Sequence, residues 1–297
     1  MRHLAFIAAL ALASCAQPPA PHHPQPQDDL ASQSPQAQPQ QPDLAPRYPS
    51  WDEVRAHAQP LAASPESSSH GKELVGGASL IDETLHLNGR SIAVQYVLFD
   101  SRSYALQVID QPVDWSGGGK ISECMRSVNA AAGVNGGFFT PQFAPMGLMI
   151  ASSHKIGAWQ SNKLLSGAVV VHHQPRLLWN AEVQGNSDAQ HLIQAGPRLV
   201  DAGHAVPNLE RRKQTTRTFI ATDGGHRWIM GIAHSTSLGE LADALASAPF
   251  PDGFRIHRAL NLDGGHSSAL YYRTSDGHEH AHPGWSTVRN YIGIVPR

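Results

Sequence analysis

The feature that most limits the folds open to this chain is a succession of short apolar stretches, each closed by glycine, proline, asparagine or aspartate. SIAVQYVLFD (91–100) alternates Ile92, Val94, Tyr96 and Leu98 on one face. YALQVID, GAVVV, PRLLWN, HLIQAG, TFIAT, RWIMGIA, RIHRALNL, SALYY and YIGIV follow it along the chain. Stretches of this length and period read as strands. Only two segments carry a helical signature. One is ISECMRSVNAAAG, which the spacing predicts to run to a glycine stop at Gly133; the other is SLGELADALAS, where Ser237 and Glu240 form a capping box. Many short strands and few helices predict an α+β fold of curved, largely antiparallel sheets with a few flanking helices in a single domain. A regular strand–helix alternation is missing, which argues against a Rossmann fold or an α/β barrel.

Upstream of these strands the chain is of another kind. MRHLAFIAALALASCAQ begins with Arg2 and His3, continues with an apolar core from Leu4 to Leu12, and ends in Ala13-Ser14-Cys15. That pattern predicts a bacterial signal peptide over residues 1–14. The Leu12-Ala13-Ser14-Cys15 ending resembles a lipobox, so the mature chain is expected to start at an acylated Cys15 and to meet a membrane through that lipid anchor. Ala16 stands where an inner-membrane retention signal would place aspartate. The expected location is therefore the cell envelope, at the outer membrane facing the periplasm. Residues 15–49 are rich in Pro, Gln, Ala and Ser without hydrophobic period, the composition of an extended tether. The folded domain is expected over residues 50–297.

Charge and cysteine usage narrow the function. The formal net charge is −2 and no basic stripe is present, which leaves no footprint for nucleic acid. Of the two cysteines, Cys15 is assigned to lipid, so Cys124 has no intramolecular partner and reads as a small buried hydrophobe on a helix. The 18 histidines are scattered, several of them in Pro- or Gly-rich segments, and do not form a metal-binding pattern. Neither a G-x-S-x-G elbow, a Walker loop nor an H-E-x-x-H motif occurs.

Chemistry-bearing residues cluster at strand ends. NLDGGHSS (261–268) places Asp263, Gly264, Gly265, His266, Ser267 and Ser268 after one apolar run and before another, more polar groups than a turn requires. VNGGFF places Asn135, Gly136 and Gly137 before Phe138 and Phe139. Two readings stay open there: the glycine N–H groups turn outward to an anion above an aromatic floor, or the segment is a tight turn with core phenylalanines. Arg198 follows a Gly-Pro bend and Arg217 starts a strand, and each could offer a planar fork to phosphate oxygens or serve as a surface ion-pair partner. A second Asp-Gly-Gly-His, residues 223–226, lies between two alternating runs and reads as a plain hairpin turn.

In this order VNGGFF (134–139), AGPRL (195–199), Arg217-Thr218, GELADAL (239–245), NLDGGHSS (261–268) and VRNYIGIV (288–295) resemble the phosphodiester glycosidase family. The resemblance spans roughly Leu74 to Pro296. It implies hydrolysis of a sugar joined through its anomeric carbon to a phosphodiester, with a glycan or sugar-phosphate as substrate. It implies Asp263 as catalytic carboxylate, with His266 beside it, and substrate contacts from Asn135, Gly136, Gly137, Arg198, Arg217, Gly264, Gly265, Ser267 and Ser268. Many members carry glycine where this chain has His266, which implies a subgroup with a different substrate. Two alternatives stand beside this reading: a phosphodiesterase using a divalent metal on Asp263 and His266, and a non-catalytic glycan binder of the envelope.

Overall fold

The computed structural model describes residues 71–297, apart from residue 88 and residues 112–119 and 184–187. The predicted signal segment, Cys15 and the tether lie outside the described residues.

The described residues form three sheets in which every paired strand is antiparallel. The largest has eight strands, in the order β1 (Lys72–Glu73), β2 (Ser79–Leu87), β3 (Arg90–Asp100), β14 (Arg227–Thr236), β13 (Thr215–Thr222), β15 (Arg258–Asn261), β11 (Arg198–Asp201), β12 (His204–Ala205). A second sheet runs β7 (His154–Ile156), β6 (Met149–Ala151), β10 (His191–Ala195), β8 (Gly167–Val171), β9 (Pro175–Trp179). The third runs β17 (Glu279–His282), β16 (Leu270–Arg273), β5 (Ala132–Asn135), β18 (Asn290–Pro296), β4 (Tyr104–Asp110). Two α-helices accompany them, α1 (Ile121–Ser127) and α2 (Leu238–Ser247). The largely antiparallel sheets with a few flanking helices are as expected, and the balance is β-rich rather than clearly α+β.

Side-chain alternation explains the layering. On β14, Trp228, Met230 and Ile232 join the core shared by the three sheets, while Ile229 and Ala233 face the other way with Leu241, Ala242 and Leu245 of α2. The large sheet is thus buried on both faces, which is why its central strands read as nearly continuous apolar runs. The capping box at the start of α2 forms as its spacing predicts: Ser237 Oγ accepts from Glu240 N at 3.3 Å, and Ser237 N donates to Glu240 Oε2 at 3.0 Å.

The first helix departs from expectation. It ends at Ser127, the chain turns through Asn129 at φ 55°, and Ala132–Asn135 becomes a strand. Gly133 is not a helix stop. A Cβ there would stand 2.3 Å from Met125 Sδ and Cε, so this glycine lets α1 pack its buried Met125 onto β5.

Candidate active site

Residues 262–269 connect β15 in the large sheet to β16 in the third sheet. Because β15 and β16 belong to different sheets, the stretch is a crossing and not a hairpin. Leu262 N continues the ladder to Thr218 O at 2.9 Å, and Asp263 N then leaves it for Gly136 O at 3.0 Å. Gly265, at φ +64°, turns the chain into a single 3-10 turn, Gly265–Ser267. Gly264 passes close to β13: a Cβ there would lie 3.1 Å from Thr216 O and 3.8 Å from Arg217 Cα.

Asn135, at the end of β5, ties this crossing to its surroundings. It is fully buried, and both ends of its amide are bonded: Nδ2 donates to Asp263 O at 2.7 Å, while Oδ1 accepts from Ala269 N at 3.0 Å and from Thr218 Oγ1 at 2.8 Å. The Thr218 hydroxyl also lies 3.1 Å from Ser268 Oγ. Gly136 and Gly137 extend the same loop. Their N–H groups bond Asn290 O at 2.9 Å and Asn290 Oδ1 at 2.8 Å. The reading in which these amides turn outward to an anion is corrected, because both are spent on Asn290. Glycine is needed at 136 for approach, since a Cβ would meet Asn290 Oδ1 at 2.1 Å. Phe139 stacks edge-on against buried Phe143 with ring centroids 5.3 Å apart, as in the tight-turn reading.

Asp263 itself is half-buried. Burial raises its carboxyl above the ordinary aspartate range, while the Ser267 hydroxyl and the Gly264 N–H pull it back down. The Gly264 N–H reaches Oδ1 at 2.9 Å. Ser267 Oγ in turn lies 3.5 Å from Ser286 Oγ. His266 is exposed on the 3-10 turn, and its carbonyl accepts from Trp285 N at 2.7 Å and Ser286 N at 3.1 Å. The arrangement offers one carboxylate with perturbed acidity, flanked by small hydroxyls, on a backbone held from three directions.

The two arginines do not share a site. Arg217 is in register with Ala233 on the α2 side of the large sheet, and Arg198 with Leu260 on the opposite side. The buried Arg217 guanidinium donates to Lys213 O at 2.8 Å and Thr236 O at 3.2 Å, with Glu210 Oε2 3.6 Å away. Its burial lowers the arginine pKa and Glu210 opposes that fall. Arg198 lies 5.3 Å over the Trp179 ring and 3.4 Å from Asp201 Oδ2. Of the pair, Arg217 alone adjoins the crossing, through its packing against Gly264.

Among the described residues no three His, Cys, Asp or Glu side chains converge as a metal cage, so the donor set around Asp263 and His266 does not fit a dedicated divalent-metal site. Cys124 sits half-buried on α1, and burial pushes its thiol up to about 11, which keeps it neutral. Sequence reasoning gave no role to Thr218 or Asn290, which it met only within the motifs Arg217-Thr218 and VRNYIGIV, and did not name Ser286. Thr218 carried a signal, a fully buried hydroxyl in an apolar strand that must find a partner; Asn290 and Ser286 reach the site only through long-range folding.

The phosphodiester glycosidase family model matches residues 128–295, which include every residue of this cluster. A comparison with curated proteins finds no match. Among solved structures, the fold is similar to the zebrafish N-acetylglucosamine-1-phosphodiester alpha-N-acetylglucosaminidase catalytic domain auto-inhibited by its pro-peptide, at 14% identity and a TM-score of 0.56, covering 79% of this chain and 87% of that one. It is also similar to a putative exported protein from Burkholderia pseudomallei, at 14% identity and a TM-score of 0.50, covering 69% and 74% of the two chains. A hypothetical protein from Synechocystis matches at 18% identity and a TM-score of 0.48, covering 74% of this chain and 62% of that one. At these identities the structural likeness is one of fold. The family match spans more than half of the chain, from the end of α1 to β18, and on that ground the chain belongs to the phosphodiester glycosidase family.

Proposed function

We propose that this protein is a hydrolase that cleaves a sugar-1-phosphodiester at the anomeric carbon and acts on glycans of the cell envelope. The observation that carries the reading is the half-buried Asp263 carboxylate, held by Ser267 and Gly264 on the crossing between two sheets, within the span that matches the family. In the reaction the bond from C1 to the phosphate oxygen breaks and a bond from C1 to a water oxygen forms. One proton of that water ends in solvent, and the products are a free sugar and a phosphate monoester. A phosphate departs readily, so little general-acid assistance is needed, and one carboxylate near C1 suffices as nucleophile or base. Both roles require Asp263 ionised. Its Ser267 and Gly264 bonds favour that ionised form against burial.

The export signal and the lipobox-like Leu12-Ala13-Ser14-Cys15 support an envelope lipoprotein at the outer membrane, with the Pro- and Gln-rich tether giving the enzyme reach. The test of activity is the product. Purified protein incubated with a panel of sugar-1-phosphodiesters, with and without chelator, is expected to release reducing sugar in both conditions. Release of sugar phosphate would mean P–O cleavage, and chelator-sensitive release would restore the metal reading; either outcome replaces the proposal.

A further inference from the structure

We infer that Trp285 is the platform on which the sugar ring of the substrate stacks, an assignment that rests on the glycosidase reading of the neighbouring Asp263. Among the described residues Trp285 is the most exposed large hydrophobic side chain, at 66%. An indole left in water gives up the burial that aromatic side chains ordinarily gain on folding, so its exposure calls for a reason.

Its backbone is not loose. Trp285 N and Ser286 N both donate to His266 O, at 2.7 and 3.1 Å. Gly284 makes this contact feasible, because a Cβ there would stand 2.9 Å from His266 O and 3.0 Å from Ser267 O. The segment is therefore stapled to the same 3-10 turn whose Ser267 hydroxyl bonds Asp263, and Ser286 Oγ is 3.5 Å from Ser267 Oγ. The backbone that carries the exposed indole is thus fixed beside the turn that holds Asp263.

The space beside it suits one ring. Trp285, Ser286, Thr287, Lys120 and Ala269 line a cavity of about 160 Å³, of which Asp263 is not a wall and which meets the carboxylate's turn through Ser286. That is below the roughly 300–1,000 Å³ of pockets for drug-sized ligands and on the scale of one saccharide unit. Its walls match the two characters of a pyranose. The C–H face of the sugar meets the electron-rich indole face, and the hydroxyl edge meets Ser286 and Thr287.

The experiment uses the full chain and two matched probe panels, sugar 1-(methyl phosphates) for turnover and the corresponding methyl glycosides for binding. Trp285→Ala is expected to raise KM about ten-fold while kcat falls far less, and Trp285→Phe to recover most of the loss, since a smaller ring still stacks. Titration with the methyl glycosides should quench tryptophan emission in wild type and not in Trp285→Phe. Unchanged KM in Trp285→Ala, with wild type active, overturns the platform while leaving the glycosidase reading intact. If wild type hydrolyses no glycosyl phosphodiester, that reading fails and the titration alone decides: quenching lost in Trp285→Phe sustains a sugar platform, and equal or absent quenching overturns it.

Discussion

Asp223 Oδ1 accepts from Gly225 N at 2.7 Å and Arg227 N at 3.3 Å, and its Oδ2 lies 3.2 Å from Arg227 Nε, so the carboxylate closes the hairpin between β13 and β14. Asp263 starts the same tetrapeptide but bonds one backbone N–H and one serine hydroxyl, and burial raises its pKa. The pair is a matched experiment. Asp263→Asn is expected to reduce kcat by several orders of magnitude, because the amide keeps the shape and loses the basicity. Asp223→Asn should keep full activity and lose at most about 1 kcal/mol of stability, as for other partly exposed ion pairs. The stability signs also differ. A carboxyl whose folded pKa is raised adds stability below the unfolded aspartate value, and that stability is lost as pH rises through the folded pKa. Asp263 is therefore a burden at neutral pH, and Asp263→Asn should melt no lower than wild type at pH 7. The same raised pKa sets the acid limb of kcat/KM above the ordinary aspartate range, which a pH–rate profile reads directly. A limb at the ordinary aspartate value, or an active Asp263→Asn, removes Asp263 from the chemistry. Residue by residue, the tetrapeptide alone could not separate these two aspartates; what separates them is whether the strands on either side pair with each other.

The loop leaving β5 is fixed by a strand far along the chain. Gly136→Ala must displace Asn290 Oδ1, which a Cβ would approach to 2.1 Å, and so break the bond that Gly137 N makes to it. A loss of about 1–3 kcal/mol in denaturant unfolding is expected, together with most activity, as for other overpacked sites. Wild-type stability in that variant would show that the loop relaxes freely. Arg217 joins the end of β14 to the loop before β13 through Thr236 O and Lys213 O, and a single ammonium cannot span both carbonyls. Arg217→Lys should therefore cost about 1–3 kcal/mol as well as activity. An unchanged melting temperature would mean those bonds carry nothing. The α2 cap was legible because Ser237 and Glu240 are one turn apart. The end of α1 was not, because Gly133 answers to Met125 packing against a strand and not to a local stop signal. Strands such as β3, β8 and β14 were legible for the same reason as the cap, since an apolar pattern is local, whereas β2, β6 and β11 were not named and the start of β5 was read as helix. Which strand joins which sheet is settled by contacts across the whole chain, and with it went the true partners of Gly136 and Gly137.

For the whole molecule, anchoring is tested at Cys15, outside the described residues. Cys15→Ser should abolish acylation and release the protein from the membrane fraction or leave it unprocessed. Unlipidated wild-type protein in the cytoplasm would defeat the envelope proposal. The expected location and the tether rest on sequence that lies outside the described residues. The depth of the sheet interlock was not legible in the sequence, and it bears on when the enzyme comes into being. β18 lies between β5 and β4 in the third sheet, and Asn290 at its start holds Gly137 across 153 residues of sequence. Every strand it joins leaves the ribosome earlier. A nascent chain halted before residue 290 already contains Asp263 and the paired strands β5 and β16, yet the loop that accepts the Asp263 amide lacks the Asn290 bonds to Gly136 and Gly137. Long-range pairing of this kind forms late and slowly. On the proposed function, the site around Asp263 is thus complete only once the closing strand is in place.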